Sequence, residues 1–350
     1  MLYLHGIGHA HPATVIDNNF LSSLDIGVDA AWVEERVGIR ERRTTLSLDY
    51  IRHTRNADTR AAAEGSLMST TEMARLAGEH ALRRAGLAAG AIGMIIAGGC
   101  CPEMLIPAEA SRLAAALGVQ AVAFDLSAAC ASFAAQLHFL SQMRPESLPD
   151  FVLVANIEAF TRTVNYADRG TAVLFGDCAS AAIVSTRVSS RVRVLESSFQ
   201  SDPTGHGQIT IPAGGHFAQE GHRVQIFAVR KTVELVGESR FAGREQPGRE
   251  EFFIGHQANL RMLEAVCKRL NIPAKNHLSN VQNFGNCGAA GAPSVLSEHW
   301  EDLAPCAVNM AVVGSGLSWG GLRICIGEAH PHEHLERGQR LGNSALQGCL

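Results

Sequence analysis

With 350 residues, 30 basic and 34 acidic side chains, the chain is long enough for a large core and almost uncharged overall. That balance argues against a dedicated nucleic-acid or membrane-surface binder, whose affinity rests on a basic excess. No apolar run approaches the about eighteen residues that a spanning helix needs.

The N-terminal "MLYLHGIGHAHP" lacks the basic start and unbroken apolar stretch of a secretory signal. The nine cysteines lie mostly within apolar runs without metal-type spacing, which fits free thiols in a reducing cytoplasm. Residues 41–70, "ERRTTLSLDYIRHTRNADTRAAAEGSLMST", are polar and poor in strand pattern. They read as an excursion near a site or dimer interface, and a plain surface loop fits equally well. "GMIIAGG" (93–99), "AVAFDL" (121–126), "FVLVANI" (151–157) and "CASAAIVST" (178–186) are expected as buried strands. Cys100 and Cys101, just after the first of these, read as small buried residues. Helical periodicity occupies 108–117 and 131–143. The alternation of strands and helices predicts an α/β protein.

The second half repeats the theme. "EFFIGHQ" (251–257) predicts a strand, "ANLRMLEAVCKRL" a helix, and "NVQNF" a strand entering "GNCGAAGAPSVLSEHW"; "VNMAVVGSG" and "GLRICIG" close the sheet. "FDLSAACASFAAQLHFL" and "QNFGNCGAAGAPSVLSE" occupy the same place in the two halves, so Cys130 and Asn286 fall at corresponding strand-to-helix turns. The expected organisation is two copies of a β-α-β-α-β-β unit, residues 1–186 and 187–328, followed by a polar tail at 329–350. His330, His332 and His334 in that tail read as a polar terminus rather than a metal site.

Cys130 opens a helix after an apolar strand, where unpaired N–H groups and the helix dipole stabilise a thiolate. Alone, a cysteine among alanines is more simply a core residue. His256 at the end of "EFFIG" and Asn286 in a glycine-rich turn change that weighting, because all three fall at carboxyl ends of predicted strands. Cysteine, histidine and asparagine together suit acyl transfer.

"DLSAACASF", "YADRGTAVLFGDCASAAIV", "GHQANLRML", "NFGNCGAAGAPSVL" and "GSGLSWG" resemble, in order and over about residues 1–328, the β-ketoacyl-ACP synthase III group of the thiolase superfamily. The resemblance implies a thiolase fold, five-layered α-β-α-β-α with two duplicated halves, usually a homodimer. It implies that Cys130 takes the acyl group, that His256 and Asn286 hydrogen-bond the carbonyl of the second thioester, and that the N–H groups of Cys130 and Ser315 form an oxyanion hole. Trp32, Arg36 and Arg169 match residues at the CoA entrance, while Arg261 and Lys268 suit an acidic carrier protein. CoA thioesters and acyl carrier protein are the implied partners, with no cofactor and no metal.

The chain also departs from the group's housekeeping pattern. Val313 stands where an aromatic residue often narrows the pocket, and "GNCGAAGAP" replaces the more usual "GNTSAAS". "SLDIGVDAAWVEERVGIRERRT" and "SLDYIRHTRNADTRAA" resemble a narrower branch, the ketosynthase/cyclases of dialkylresorcinol and stilbene pathways. That branch implies coupling of a β-ketoacyl thioester with a second acyl unit and closure to a cyclohexane-1,3-dione. Forming an enolate there without decarboxylation calls for a base, and Glu103 in "CCPEMLIP" is the candidate, although an exposed loop acid is the simpler reading. The alternatives are decarboxylative condensation of acyl-CoA with malonyl-ACP, a non-catalytic partner subunit, a degradative thiolase, and transfer of the acyl group to oxygen or nitrogen. Retention of Cys130, His256 and Asn286 weighs against a silent subunit. "GSGLSWG" lacks the second cysteine that a degradative thiolase uses.

Overall fold

Two all-buried runs set the centre of the molecule. "FVLVANIE" and "CAVNMAVVG" have every residue buried, as strands covered on both faces must. The computed structural model describes residues 1–242, 250–303 and 305–328; the tail reading at 329–350 lies outside them. Nine strands carry the fold: β1 (Leu2–Ala10), β2 (Ile92–Gly98), β3 (Val122–Asp125), β4 (Phe151–Glu158), β5 (Cys178–Ser185), β6 (Val192–Ser201), β7 (Glu250–Gly255), β8 (Cys306–Gly314) and β9 (Ser318–Ile326). Their hydrogen-bonded order is β7-β8-β9-β6-β1-β5-β4-β2-β3.

That order is close to a palindrome. β1 is antiparallel to β5, β5 to β4, and β4 parallel to β2. In the second half β6 is antiparallel to β9, β9 to β8, and β8 parallel to β7. The halves meet where β1 pairs antiparallel with β6. Helices α2 (Thr70–Ala85), α3 (Glu109–Leu117) and α4 (Ser132–Gln142) punctuate the first half; α5 (Gly221–Ala242), α6 (Leu260–Leu270) and α7 (Gly288–Glu298) punctuate the second. An earlier helix, α1 (Ala30–Val37), stands outside the repeat. The first half therefore runs β-α-β-α-β-α-β-β, one leading strand and helix longer than the sequence suggested, and the second follows the same order with a short helix at Val281–Phe284 in place of its third strand.

Packing follows residue size. α4 and α7 touch each other and strands of both halves, which makes them the middle layer. Residues 288–297 of α7 are all buried, and Gly288, Ala289, Ala290, Gly291 and Ala292 allow close approach. α2 and α3 cover the outer face of the first half, and α5 covers that of the second, giving the five α-β-α-β-α layers. Local signals start and stop these helices. Ser69 accepts from Glu72 N at the head of α2, and Gly86 ends it in the left-handed region. Asn259 caps α6, whose buried stripe is Met262, Leu263, Val266 and Cys267.

Three expectations are corrected. "NVQNF" is a short helix at Val281–Phe284, because the Gln257 side-chain oxygen takes the N–H groups of Asn280 and Val281 (3.1 and 3.3 Å) and turns the chain. β3 is an exposed edge strand rather than a buried one, with Val122 59% and Phe124 41% exposed. Segment 41–70 is neither loop nor excursion. Glu41–Thr44 pairs with Thr14–Asp17, and two short helices follow, Leu48–Thr54 and Thr59–Glu64. The segment is stitched to residues 159–177: Asn56 donates to the carbonyls of Arg162 and Val164, and Thr45 donates to Asp177. Arg42, fully buried, donates to Val173 O and Asn18 Oδ1.

Candidate active site

β2 and β3 run parallel and side by side, so the loops leaving their carboxyl ends emerge together. After β3 the chain turns sharply into α4, with Ala129 at φ +50° and hydrogen bonds Ala131 N→Ala128 O and Ser132 N→Ala129 O, both 3.0 Å. Ser132 Oγ staples the turn by donating to Ala129 O (2.6 Å) while accepting from Ala128 N (2.9 Å). Cys130 sits on this bend, half-buried, immediately before a helix whose first turn no side chain caps. The local N–H field is thus left for the sulfur.

His256 follows β7 directly, and its backbone is fixed by His256 N→Ala311 O and Ala258 N→His256 O, both 2.8 Å. Its ring favours the charged form of the Cys130 thiol, and among the described residues its buried Nδ1 has no partner. Asn286 is held through its backbone: its N–H donates to Leu174 O (2.8 Å) and its carbonyl accepts from Gly176 N (3.1 Å). Its Oδ1 accepts from Gly288 N (3.0 Å), so the amide nitrogen is the group that side chain can offer a ligand. Gly288 is required there. Its φ is +50°, and a Cβ would lie 2.4 Å from both Glu158 Oε1 and Phe160 Cε2.

These three side chains line one cavity of about 340 Å³. Its walls include Phe175, Phe217, Val313 and Leu317, with Phe227 and Ala228 of α5 along one side and Arg36 at its edge. Among the described residues, no Asp or Glu lines it. Ser315 itself is not in the lining, but the residue before it is. A Cβ on Gly314 would stand 3.0 Å from the backbone nitrogens of Cys130 and Ala131, so β8 brings this turn against the Cys130 amide.

The thiol at Cys130 is pushed well below its usual range, first by its hydrogen bond with Cys100, then, against the opposing effect of burial, by His256. Cys100 is the residue the sequence reading missed. It is half-buried rather than a plain core residue, and its Sγ lies 3.7 Å from that of Cys130. Only knowledge that β2 and β3 are neighbours reveals this. Glu158 is a second omission. It is fully buried at the end of β4, accepts from Cys100 N and Ala289 N (both 2.9 Å), and is pushed up to about 8 by burial and by the Cys130 charge.

The remaining sequence candidates separate. The Arg169 guanidinium lies 5.9 Å from the Trp32 ring centroid, and both are exposed, so these two face one another across a surface slot. Arg261 is committed to the end of α1, donating to the carbonyls of Glu34 and Glu35 (3.0 and 2.9 Å), which makes it an anchor for that helix. Lys268 is exposed on the last turn of α6, away from the cavity lining. Glu103 is not brought to the cavity. Arg112 (2.6 Å) and Arg162 (3.5 Å) pair with it, and Thr70 hydrogen-bonds it. Against the cost of burial, these partners hold it below the usual carboxylate range, the opposite of what a base needs. Among the described residues, no group of three or more His, Cys, Asp and Glu is arranged to hold a metal, and no helix is long and apolar enough to cross a membrane.

Comparison with known proteins agrees with this geometry. Residues 124–203 match the family model described as 3-oxoacyl-[acyl-carrier-protein (ACP)] synthase III, and residues 247–326 match the model of its C-terminal part. A beta-ketoacyl-[acyl-carrier-protein] synthase III 2 of Streptomyces coelicolor is 31% identical over 332 residues, 93% of this chain and 94% of that protein. The crystal structure of 3-oxoacyl-[acyl-carrier-protein] synthase III from Aquifex aeolicus superposes with a TM-score of 0.81 at 28% identity, covering 93% of this chain and 100% of that one. The priming beta-ketosynthase of the R1128 polyketide biosynthetic pathway superposes with a TM-score of 0.78 at 25% identity, covering 94% and 97%.

Proposed function

The chain belongs to the 3-oxoacyl-[acyl-carrier-protein] synthase III family of thiolase-fold condensing enzymes, and on that premise we propose that it joins an acyl group to a malonyl unit on acyl carrier protein by decarboxylative condensation. The observation that carries this reading is the cavity's donor set. Cysteine, histidine and asparagine converge there, and among the described residues no lining carboxylate is present to remove a carbon-bound proton. Loss of CO₂ generates a carbanion without a base, so this chemistry asks only for what the lining offers.

In the first half-reaction the Cys130 thiolate attacks the acyl thioester carbonyl. The tetrahedral oxyanion is held by the N–H groups of Cys130 and Ser315, and collapse expels the carrier thiol. In the second, the malonyl C–C bond to its carboxylate breaks and CO₂ leaves. The electron pair becomes an enolate whose oxygen accepts from His256 and Asn286. The enolate carbon then attacks the acyl-Cys130 carbonyl, and the Cys130 thiolate departs. Each such donor is worth about 3–4 kcal/mol of transition-state stabilisation. The facing pair Trp32 and Arg169 suits an adenine at the entrance, with Arg36 nearer the cavity and Lys268 left for the acidic carrier.

Residues 1–186 and 187–328 act in this reading as two halves of one cytoplasmic enzyme, contributing the nucleophile and the two enolate donors respectively. The assembly is a homodimer formed through β3. Among the described residues that strand ends the sheet, and Met104, Leu105 and Ile106 in the loop after β2 are 50%, 89% and 85% exposed. Phe124→Glu should leave a monomer in light scattering.

A second reading, cyclisation to a 2,5-dialkyl-cyclohexane-1,3-dione, is favoured by Val313, which leaves the lining without an aromatic side chain at that point. It has lost its candidate base with Glu103. The deciding experiment incubates the protein with an acyl-CoA and either malonyl-ACP or a β-ketoacyl thioester, followed by mass spectrometry. A linear β-ketoacyl-ACP from the malonyl arm supports decarboxylative condensation. A cyclic dione from the other arm, with no linear product, overturns it.

A further inference from the structure

Two thiols leave the ends of adjacent parallel strands and meet. Cys100 follows β2, Cys130 follows β3, and their sulfurs are 3.7 Å apart. We propose that Cys100 is a positioning residue for the nucleophile: its S–H donates to the Cys130 sulfur and keeps that sulfur a thiolate until it is acylated. The inference deepens the proposed function and rests on Cys130 being the nucleophile.

A close thiol pair shares one negative charge, and the surroundings decide which sulfur holds it. Cys130 faces His256 and the uncapped first turn of α4, both of which favour an anion. Cys100 faces the opposite kind of neighbour, since its own N–H donates to Glu158 Oε2 (2.9 Å), which places a carboxyl group beside it. The other titratable group facing this pair is Cys101, buried next in sequence. Glu158 opposes a charge on either sulfur, and its carboxyl is tied to the Cys100 backbone, whereas only Cys130 has His256 and the helix start beside it to offset that opposition. The proton therefore stays on Cys100, and the bond runs from Cys100 to Cys130.

The directions of the acidities agree with that assignment. Cys130 moves down, with the Cys100 hydrogen bond as the largest cause, while Cys100, Cys101 and Glu158 all move up. Cys100 is absent from the cavity lining, so it acts through Cys130 and not on the substrate. A thioester sulfur is a poor acceptor, so the bond is lost on acylation. It returns as the Cys130 thiolate departs, which favours the second half-reaction, while in the first the bond acts by keeping the thiolate populated.

The test follows the alkylation rate of Cys130 by iodoacetamide against pH, with the labelled residue identified by peptide mass spectrometry. Cys100→Ala removes the donor, while Cys100→Ser keeps an O–H in its place. Near pH 6, C100A should react about tenfold more slowly than the wild type, with its midpoint raised by about one unit. At alkaline pH the two rates should converge, and C100S should recover most of the difference. A merely structural cysteine would not move the midpoint. An unchanged midpoint in both variants, with Cys130 still the labelled residue, overturns the inference and leaves the proposed function standing. Failure of Cys130 to be labelled in the wild type removes the nucleophile, and both readings with it.

Discussion

The two strand-to-helix turns occupy equivalent places in the duplicated halves and are built in opposite ways. The first follows a true strand, β3, bends through Ala129 at positive φ, and leaves Cys130 half-exposed before an uncapped helix. The second has lost its strand to the helix at Val281–Phe284 and turns through Gly285 and Gly288, both at positive φ, with Asn286 8% exposed. Ser132 staples the first turn from within, whereas backbone bonds to Leu174 and Gly176 hold the second from a neighbouring loop. In the proposed function the same topological position serves a reactive group in one half and an immobile donor in the other. Duplication supplied the geometry, and local side chains divided the labour.

If that division holds, damage to the two turns has different consequences. Cys130→Ala should abolish both half-reactions, lowering turnover by at least about a thousandfold, with no acyl adduct by intact-protein mass spectrometry. Asn286→Ala and His256→Ala should each lower condensation about 10²–10³-fold while the acyl-Cys130 adduct still forms from acyl thioester. Adduct formation lost in N286A would show that the second turn also serves acylation, and the comparison would collapse.

Backbone substitutions sharpen the contrast at lower cost. Gly288→Ala places a Cβ against Glu158 and Phe160 at a left-handed φ, and should lose about 2–4 kcal/mol in urea unfolding. Ala129→Gly relieves a left-handed Cβ but frees the unfolded chain, so stability should change by no more than about 1 kcal/mol. Equal effects would mean that the two turns are equally constrained.

Much of this was readable in the sequence because local pattern and topology coincide. The strand ends at Asp125 and Gly255, the helix heads near Cys130 and after Asn259, and the duplicated elbows all announce themselves in apolar runs broken by small residues. What was not readable depends on which strands are neighbours. Cys100 looked like core until β2 and β3 were placed side by side. Glu158 lies one residue past the strand expected at 151–157 and carried no signal of its own; its place shows only where Gly288 and Cys100 close over it. Glu103 was a plausible loop acid until Arg112 and Arg162 arrived from a helix and from the segment after β4. Burial also misled at β3, because an apolar strand reads alike whether it lies inside the sheet or at its end.

The seam between the halves offers the smallest and most selective test. His9 on β1 hydrogen-bonds Ser297 of α7 (2.8 Å), and Arg84 of α2 donates to the same serine. Burial, then the neighbouring His11, His80 and Arg84, push His9 down from 6.5 to about 3. The folded state therefore keeps His9 neutral where the unfolded chain would take up a proton. Its contribution to stability is complete above about pH 6.5 and is lost progressively as pH falls toward 3. At pH 5.5 the loss should be about 1 kcal/mol, because the slope approaches 1.4 kcal/mol per pH unit for one proton. His9→Gln keeps an amide able to bond Ser297 and removes the titration. Urea unfolding at pH 7.5 and 5.5 should show a shallower acid loss in H9Q than in the wild type. Parallel losses in the two proteins would place the acid sensitivity elsewhere and leave the seam no weaker at low pH than either half.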